Sequence, residues 1–363
     1  MNVMLLTTHL NAGGITSYLQ TLCRGLTADG HGVWLVSSGG ERAGDFQAMG
    51  CRLVTRDIKT KSEVSPKIYA VLGELKDIIL REKIEVLHAH TRITQVMAAW
   101  LRRMSGRPNI ATCHGFFKTR WNRRLFPCWG IRTIAISEPV VRHLTGDFRC
   151  PPETVKLIPN GIDLERFFVA ADEDRTACRE RHGLGDEPVV GIIARLSDVK
   201  GIDILIETIP RVKERIPEVK LVIMGEGREE QALKDLVRQR HLEGTVRFFS
   251  GVDDMALCLN MFDVFVMPSR QEGLGLSVLE AQACGLCVVA SRVGGLVSII
   301  EDGETGFLVD PEDPAVLAAR ITAVLTDDFT RRKVGRQARA RVGEHHAASR
   351  MVAETVKVYR EVI

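Results

Sequence analysis

From Val3 onward, short apolar runs of strand length alternate with longer stretches whose apolar residues return at helical spacing, almost to the end of the chain. In the first half the pattern predicts strands at residues 3–7, 32–37, 52–55, 86–89, 110–113, 133–136 and 155–158. Between them it predicts helices at 16–26, 66–81, 93–104 and 138–144. Such alternation implies a parallel sheet covered on both faces.

The register then restarts. Residues 171–188, "ADEDRTACRERHGLGDEP", are poor in apolar side chains and end in Gly and Pro, so they read as a linker or surface excursion. Strands follow at 189–194, 220–224, 246–249, 264–268, 287–291 and 306–310, with helices opening at Ile202, at Glu229 and after Gly275, a short helix before the 264–268 strand, and a closing helix at 347–362. The expected fold class is α/β, two tandem Rossmann-like doubly wound domains. The expected bounds are 1–165 and 166–346, with residues 347–363 packing back on the first domain. In such sheets ligands bind beyond the carboxyl ends of the strands, so functional side chains are sought there.

Composition narrows the class. A chain of 363 residues exceeds what one core usually supports, and 45% hydrophobic with 26% charged residues is ordinary for a soluble protein. The nine cysteines are an odd number with one C-x-x-C, Cys284 to Cys287, which favours reduced thiols over a disulfide framework or a four-ligand zinc site. That pair lies among apolar residues and reads as core packing. The opening "MNVMLLTTHL" lacks the build of a signal peptide and reads as a strand, and no run reaches the roughly 20 apolar residues of a membrane span. The expected location is cytoplasmic.

Charge separates the halves. Residues 1–165 hold 22 Lys and Arg against 14 Asp and Glu, and the remainder hold 27 against 32. The excess gathers at 102–132, so the first domain is the one expected to meet an anionic partner. Within it, "FFKTRWNRRLFPCW" interleaves Phe116, Phe117, Trp121, Phe126 and Trp129 with Lys118, Arg120, Arg123 and Arg124. This mix fits peripheral contact of residues 116–129 with an anionic membrane on the inner face of the plasma membrane. It equally fits a loop covering an acceptor, or ordinary packing. A nucleic acid is not among the expected partners.

Several segments could carry chemistry. Gly13 and Gly14 after the first strand let backbone approach a ligand, with Thr16 or Ser17 available to cap the next helix, although a double glycine also makes a plain tight turn. "RLSDVKG" places Arg195 at a strand end and Lys200 before a helix, which is either a clamp for a diphosphate or two solvated cations. In "EGLGLSVLE", Gly273 and Gly275 permit an unusual backbone path into a helix whose free N–H groups face an anion or a sugar oxygen. Glu280, one turn inside that helix among Leu279, Ala281, Ala283 and Cys284, needs a donor partner if ionised. A ribose diol would serve; so, more plainly, would the helix dipole. His88 and His90, two apart on a strand, are expected to point to opposite faces and so not to share a metal ion. His114, between a strand and Gly115, is the better functional candidate.

Taken in order, Gly13-Gly14, "HAH" (88–90), "TCHG" (112–115), "AISE" (135–138), "IPNGID" (158–163), "RLSDVKG" (195–201), "GEG" (225–227) and "EGLGLSVLE" (272–280) resemble the family-4 glycosyltransferases. These are retaining enzymes of the GT-B architecture, two Rossmann-like domains facing across a cleft. The resemblance implies that Arg195 and Lys200 hold a donor diphosphate, that Glu280 binds the ribose and that Glu272 faces the transferred sugar. Backbone of Gly273, Leu274, Gly275, Leu276 and Ser277 would complete the cradle, and Val252 in "FFSGV" would border the base. His114 would stand near sugar and acceptor, with Gly13 and Gly14 lining the cleft, so the catalytic set would be His114, Glu272, Arg195 and Lys200. One departure is Cys287, where the family usually has proline; it removes no donor or charge.

The implied reaction moves a sugar, a hexose by type, from a nucleotide diphosphate sugar to an acceptor hydroxyl with retained configuration, without cofactor or metal. The implied acceptor is a saccharide or lipid-linked saccharide of envelope polysaccharide synthesis. Two rival readings stand beside it: a nucleotide-sugar epimerase of the same architecture, and a non-catalytic subunit that binds a glycan or nucleotide sugar. A dehydrogenase fits less well, because no G-x-G-x-x-G follows the first strand.

Overall fold

The structure is a computed structural model that describes residues 1–119, 123, 126–251 and 254–363. The chain forms two compact units, Met1–Gly161 joined by Ala348–Ile363, and Ile162–Ala347.

The first unit is built on a seven-stranded sheet of β1 (Asn2–Leu6), β2 (Gly32–Ser37), β3 (Arg52–Thr55), β4 (Val86–Ala89), β5 (Asn109–Cys113), β6 (Arg132–Ala135) and β7 (Val155–Leu157). The spatial order is β3-β2-β1-β4-β5-β6-β7, and neighbouring strands are parallel. In β1 the side chains alternate between faces. Val3 and Leu5 enter one apolar cluster and Met4 and Leu6 the other, so the strand reads as a continuous apolar run because both faces are covered.

The first cluster is completed from the far end of the sequence. Met351, Val352, Val356 and Tyr359 of the helix Ala348–Val362 pack with Tyr18, Leu19, Leu22 and Leu26 of the helix Gly14–Ala28. Their spacing at one face of a 3.6-residue period is what makes both helices amphipathic.

The second unit holds six parallel strands: β8 (Val189–Ile193), β9 (Lys220–Met224), β10 (Val246–Phe249), β11 (Val264–Met267), β12 (Cys287–Ser291) and β13 (Phe307–Val309). Their order, β10-β9-β8-β11-β12-β13, reverses direction between β8 and β11. That is the switch point at which the loops following two neighbouring strands part and leave a crevice.

Residues 171–188 are not a linker. Asp172–Arg181 is a helix with Asp172, Glu173 and Asp174 in its first turn and Arg179 and Arg181 in its last, charges that complement its dipole. It is held by ion pairs in place of a broad apolar stripe. Asp263 accepts from Arg175 at 2.7 Å, from Arg179 at 2.7 Å and from the Val189 N–H at 2.8 Å, while Arg179 also donates to the Met261 carbonyl at 2.9 Å. Hydrophobic periodicity was therefore the wrong signal for this element. The segment expected as one helix at 66–81 is two, Pro66–Ala70 and Leu72–Arg81.

Candidate functional site

In the second unit the loops after β8 and β11 carry the charged candidates. Arg195, two residues beyond β8, is exposed, and its guanidinium has no ion-pair partner among the described residues. Its loop is fixed by main-chain bonds to "GEG" and its flank, from Ala194 N–H to the Met224 carbonyl at 3.0 Å and from Leu196 N–H to the Glu226 carbonyl at 2.9 Å. Lys200 ends the one-turn helix Asp198–Lys200, and its Nζ donates to Glu272 Oε2. These side chains keep 19% and 13% of their exposure, so the pair is mostly withdrawn from water. Glu272 Oε1 also accepts from the Gly273 N–H at 3.2 Å, and the Glu272 carbonyl accepts from the Gly295 N–H at 3.0 Å.

Beyond Glu272 the backbone turns into the helix Leu276–Ala283 through Gly275, whose φ of 97° and ψ of 58° are left-handed. A Cβ at this position would stand 2.6 Å from Leu296, so both conformation and packing require glycine. Leu274 is buried, while Gly273, Leu276 and Ser277 are partly accessible. No side chain among the described residues caps the N–H groups that open the helix. Glu280 lies one turn further in, 5% exposed, and no hydrogen-bond donor among the described residues reaches its carboxylate. Burial pushes its carboxyl up to about 8, with the Arg166 charge pulling the other way. Val252 lies outside the described residues.

The first unit gathers its candidates at the ends of β1, β4 and β5. Gly13 and Gly14 are exposed at the start of the helix Gly14–Ala28, which has no side-chain cap; the Thr16 hydroxyl donates instead to the Asn11 carbonyl at 2.6 Å. His88 and His90 do not point to opposite faces. Their rings are 4.1 Å apart, because a strand period of two returns the second side chain to the face of the first. His88 spends both ring nitrogens inside the protein, at 2.8 Å from the Tyr359 hydroxyl and 2.7 Å from the Thr112 hydroxyl. His90 Nδ1 is 3.2 Å from Nε2 of His114, and the Tyr18 ring meets His114 edge-on at 4.8 Å. Burial lowers His114 to about 3, so its imidazole is neutral and offers hydrogen bonding without charge. Among the described residues no group of three or more His, Cys, Asp or Glu is arranged to hold a metal ion.

The remaining candidates sort clearly. Cys284 and Cys287 are buried, and burial raises both thiols to about 12. Of the aromatic residues at 116–129, Trp129 is buried against Phe117 and Phe148, and Phe116 packs on His143. Phe126 is 69% exposed. Trp121, Arg120 and Arg124 lie outside the described residues. Sequence reasoning passed over Arg166, which it placed at the domain boundary, and Gly294-Gly295, a double glycine after β12 whose backbone bonds the Glu272 loop.

Comparison with known proteins matches both halves of the chain. The profile described as "Glycosyltransferase Family 4" matches residues 12–166, and that described as "Glycosyl transferases group 1" matches residues 174–341. The chain is 30% identical over 333 residues to a GDP-mannose-dependent alpha-(1-6)-phosphatidylinositol monomannoside mannosyltransferase of Mycolicibacterium smegmatis, covering 87% of this chain and 86% of that one. It is 26% identical over 312 residues to an N-acetyl-alpha-D-glucosaminyl L-malate synthase of Bacillus anthracis, covering 82% and 80%. In fold it is similar to the Anabaena protein HepE, solved in complex with UDP and glucose, with a TM-score of 0.89, 20% identity, and 99% and 100% of the two chains covered. With two parallel doubly wound units and both halves matched in order, the chain belongs to the family-4 glycosyltransferases and has the GT-B fold.

Proposed function

We propose that the protein transfers a hexose from a nucleotide diphosphate sugar to an acceptor hydroxyl with retention of configuration. The observation that carries this reading is the β8–β11 switch point of the second unit. There exposed Arg195, the Lys200–Glu272 pair, a helix N-terminus without a side-chain cap and buried Glu280, which no donor among the described residues reaches, come from two neighbouring loops and the helix that follows.

Each group suits one part of a donor. Arg195 and Lys200 would take the charge that develops on the departing diphosphate, helped by the N–H groups at Leu276 and Ser277. Glu280 would accept from both ribose hydroxyls and Glu272 from the sugar; in the first unit, neutral His114 would supply a hydrogen bond to the acceptor. With these cations in place we expect transfer without a metal ion. The departing phosphate would accept the acceptor's proton in a same-face attack.

The acceptor we propose is a saccharide or lipid-linked saccharide. The Mycolicibacterium smegmatis relative, named for a phosphatidylinositol monomannoside, supports a glycolipid class. Peripheral contact with an anionic membrane on its cytoplasmic side would run through exposed Phe126 with the neighbouring cations Lys118 and Arg123. Among the described residues no helix is long and apolar enough to cross a membrane.

The test is a panel of UDP- and GDP-sugars scored for thermal protection and slow hydrolysis, repeated with chelator, then with mass-tagged acceptors and the product anomer read by NMR. Protection by none of the panel, or a product epimerised without acceptor, would remove the reading.

A further inference from the structure

Two residues before Glu272, Arg270 reaches the loop that carries Lys200. Its Nη1 and Nη2 fork onto the Asp203 carboxylate at 2.9 and 2.7 Å, Nη1 also donates to the Asp198 carbonyl at 2.7 Å, and Nε donates to Glu312 at 2.9 Å. Its main-chain N–H donates to the Val199 carbonyl at 2.9 Å. Asp198 and Asp203 lie on either side of Lys200 in sequence, so one guanidinium grips the turn before and after the lysine. The turn also rests directly on the strand exit. A Cβ at Gly201 would stand 2.1 Å from the Pro268 carbonyl.

Charge gives the contact a second effect. The carboxylates of Asp198, Asp203 and Glu312 stand 3.6, 2.7 and 2.9 Å from the Arg270 guanidinium. Without Arg270 they would repel one another, and Asp198 and Asp203 would leave unbalanced negative charge on either side of Lys200 in the turn.

We propose that Arg270 is a positioning residue for the donor diphosphate: it fixes the Lys200 turn against the Glu272 loop and neutralises the three carboxylates around that turn. This rests on the reading of Lys200 as a diphosphate ligand. Arg270 need not touch the donor, because its bonds are already committed to the two loops. A lysine in its place would keep the charge but not the fork, since the three N–H groups of an ammonium radiate from one atom and cannot make all four bonds, two to Asp203 and one each to the Asp198 carbonyl and Glu312.

The experiment compares the wild type with Arg270→Lys, Arg270→Gln and the charge-balanced double variant Arg270→Gln/Asp203→Asn. Affinities for UDP and GDP are read by calorimetry, affinities for uridine and guanosine by ligand-observed NMR, and folding by thermal melting. For the diphosphate that the wild type binds, we expect Arg270→Gln to lose about tenfold to a hundredfold, as for a lost charge-assisted contact. The matching nucleoside, which lacks phosphate, should change less than about twofold. Arg270→Lys should fall between, and the double variant should recover part of the loss, because it removes negative charge without rebuilding the grip.

Undiminished diphosphate affinity in a folded Arg270→Gln, or equal losses for nucleoside and diphosphate, would overturn the proposal. A wild type that binds neither UDP nor GDP would instead overturn the donor-site reading on which it rests.

Discussion

The Lys200 ammonium is bonded to the Glu272 carboxylate across two loops, so the cation assigned to a diphosphate is already engaged. A diphosphate that took the N–H now bonded to Glu272 would displace that carboxylate and free it for the sugar contact proposed above. Glu272→Gln removes the competitor, and nucleoside diphosphate should then bind about threefold to tenfold tighter, the worth of one net hydrogen bond. Turnover should drop at least about tenfold, because the contact to the sugar is lost as well. Calorimetry and steady-state kinetics on this one variant decide the matter, and weaker diphosphate binding would contradict the displacement.

Glu280 predicts a pH dependence. Its carboxyl is raised from the ordinary 4.5 to about 8, so the folded protein holds this proton where the unfolded chain has lost it. The stability penalty of ionising it therefore grows from about pH 4.5 to about pH 8 and is complete above that. Glu280→Gln should melt higher than the wild type at pH 9 and alike at pH 4. The ribose contact proposed for Glu280 would favour the ionised form, so nucleoside diphosphate affinity in the wild type should rise between pH 6 and about 8, with a proton released on binding. Binding enthalpies measured in buffers of different ionisation heat would reveal that proton; Glu280→Gln should release none.

Asp263 is the anchor of the helix Asp172–Arg181. Asp263→Ala would leave Arg179, which keeps 7% of its side-chain exposure, without its countercharge and would unpair the Val189 N–H. The expected loss is about 3–5 kcal/mol, as for one partner removed from a buried ion pair. Urea unfolding followed by circular dichroism would measure it, and a loss below about 1 kcal/mol would place the anchor elsewhere.

Membrane contact through Phe126 and the adjacent cations should make the protein sediment with anionic vesicles at low salt and not with neutral ones. Arg123→Glu and Phe126→Ser should each weaken that binding, by about fivefold for one basic residue removed near the surface and by more for its reversal. Equal sedimentation of wild type and variants would exclude this segment as the contact.

Most of the strands were legible because each is a compact apolar run between turns, and the loop after β11 was legible as a candidate because its glycines and carboxylates sit at a strand end. Helix Asp172–Arg181 was not, since its stability comes from Asp263, some eighty residues away and invisible to a local window. The neighbouring rings of His88 and His90 follow from spacing alone, because two residues apart in a strand is the same side. Neither the Lys200–Glu272 bond nor the grip of Arg270 could be read from spacing. Both depend on β8 and β11 lying side by side, though separated by two further strands in the chain.

The helix Ala348–Val362 has a consequence for how the protein comes off the ribosome. The first unit lacks Met351, Val352, Val356 and Tyr359 until residues 351–359 have been made, whereas the second unit, Ile162–Ala347, has all its parts sooner. Vectorial synthesis at roughly 5–20 residues per second would therefore complete the later half first. Until then the face of the helix Gly14–Ala28 that receives the C-terminal helix stays uncovered, a waiting surface on the nascent chain for a holding chaperone.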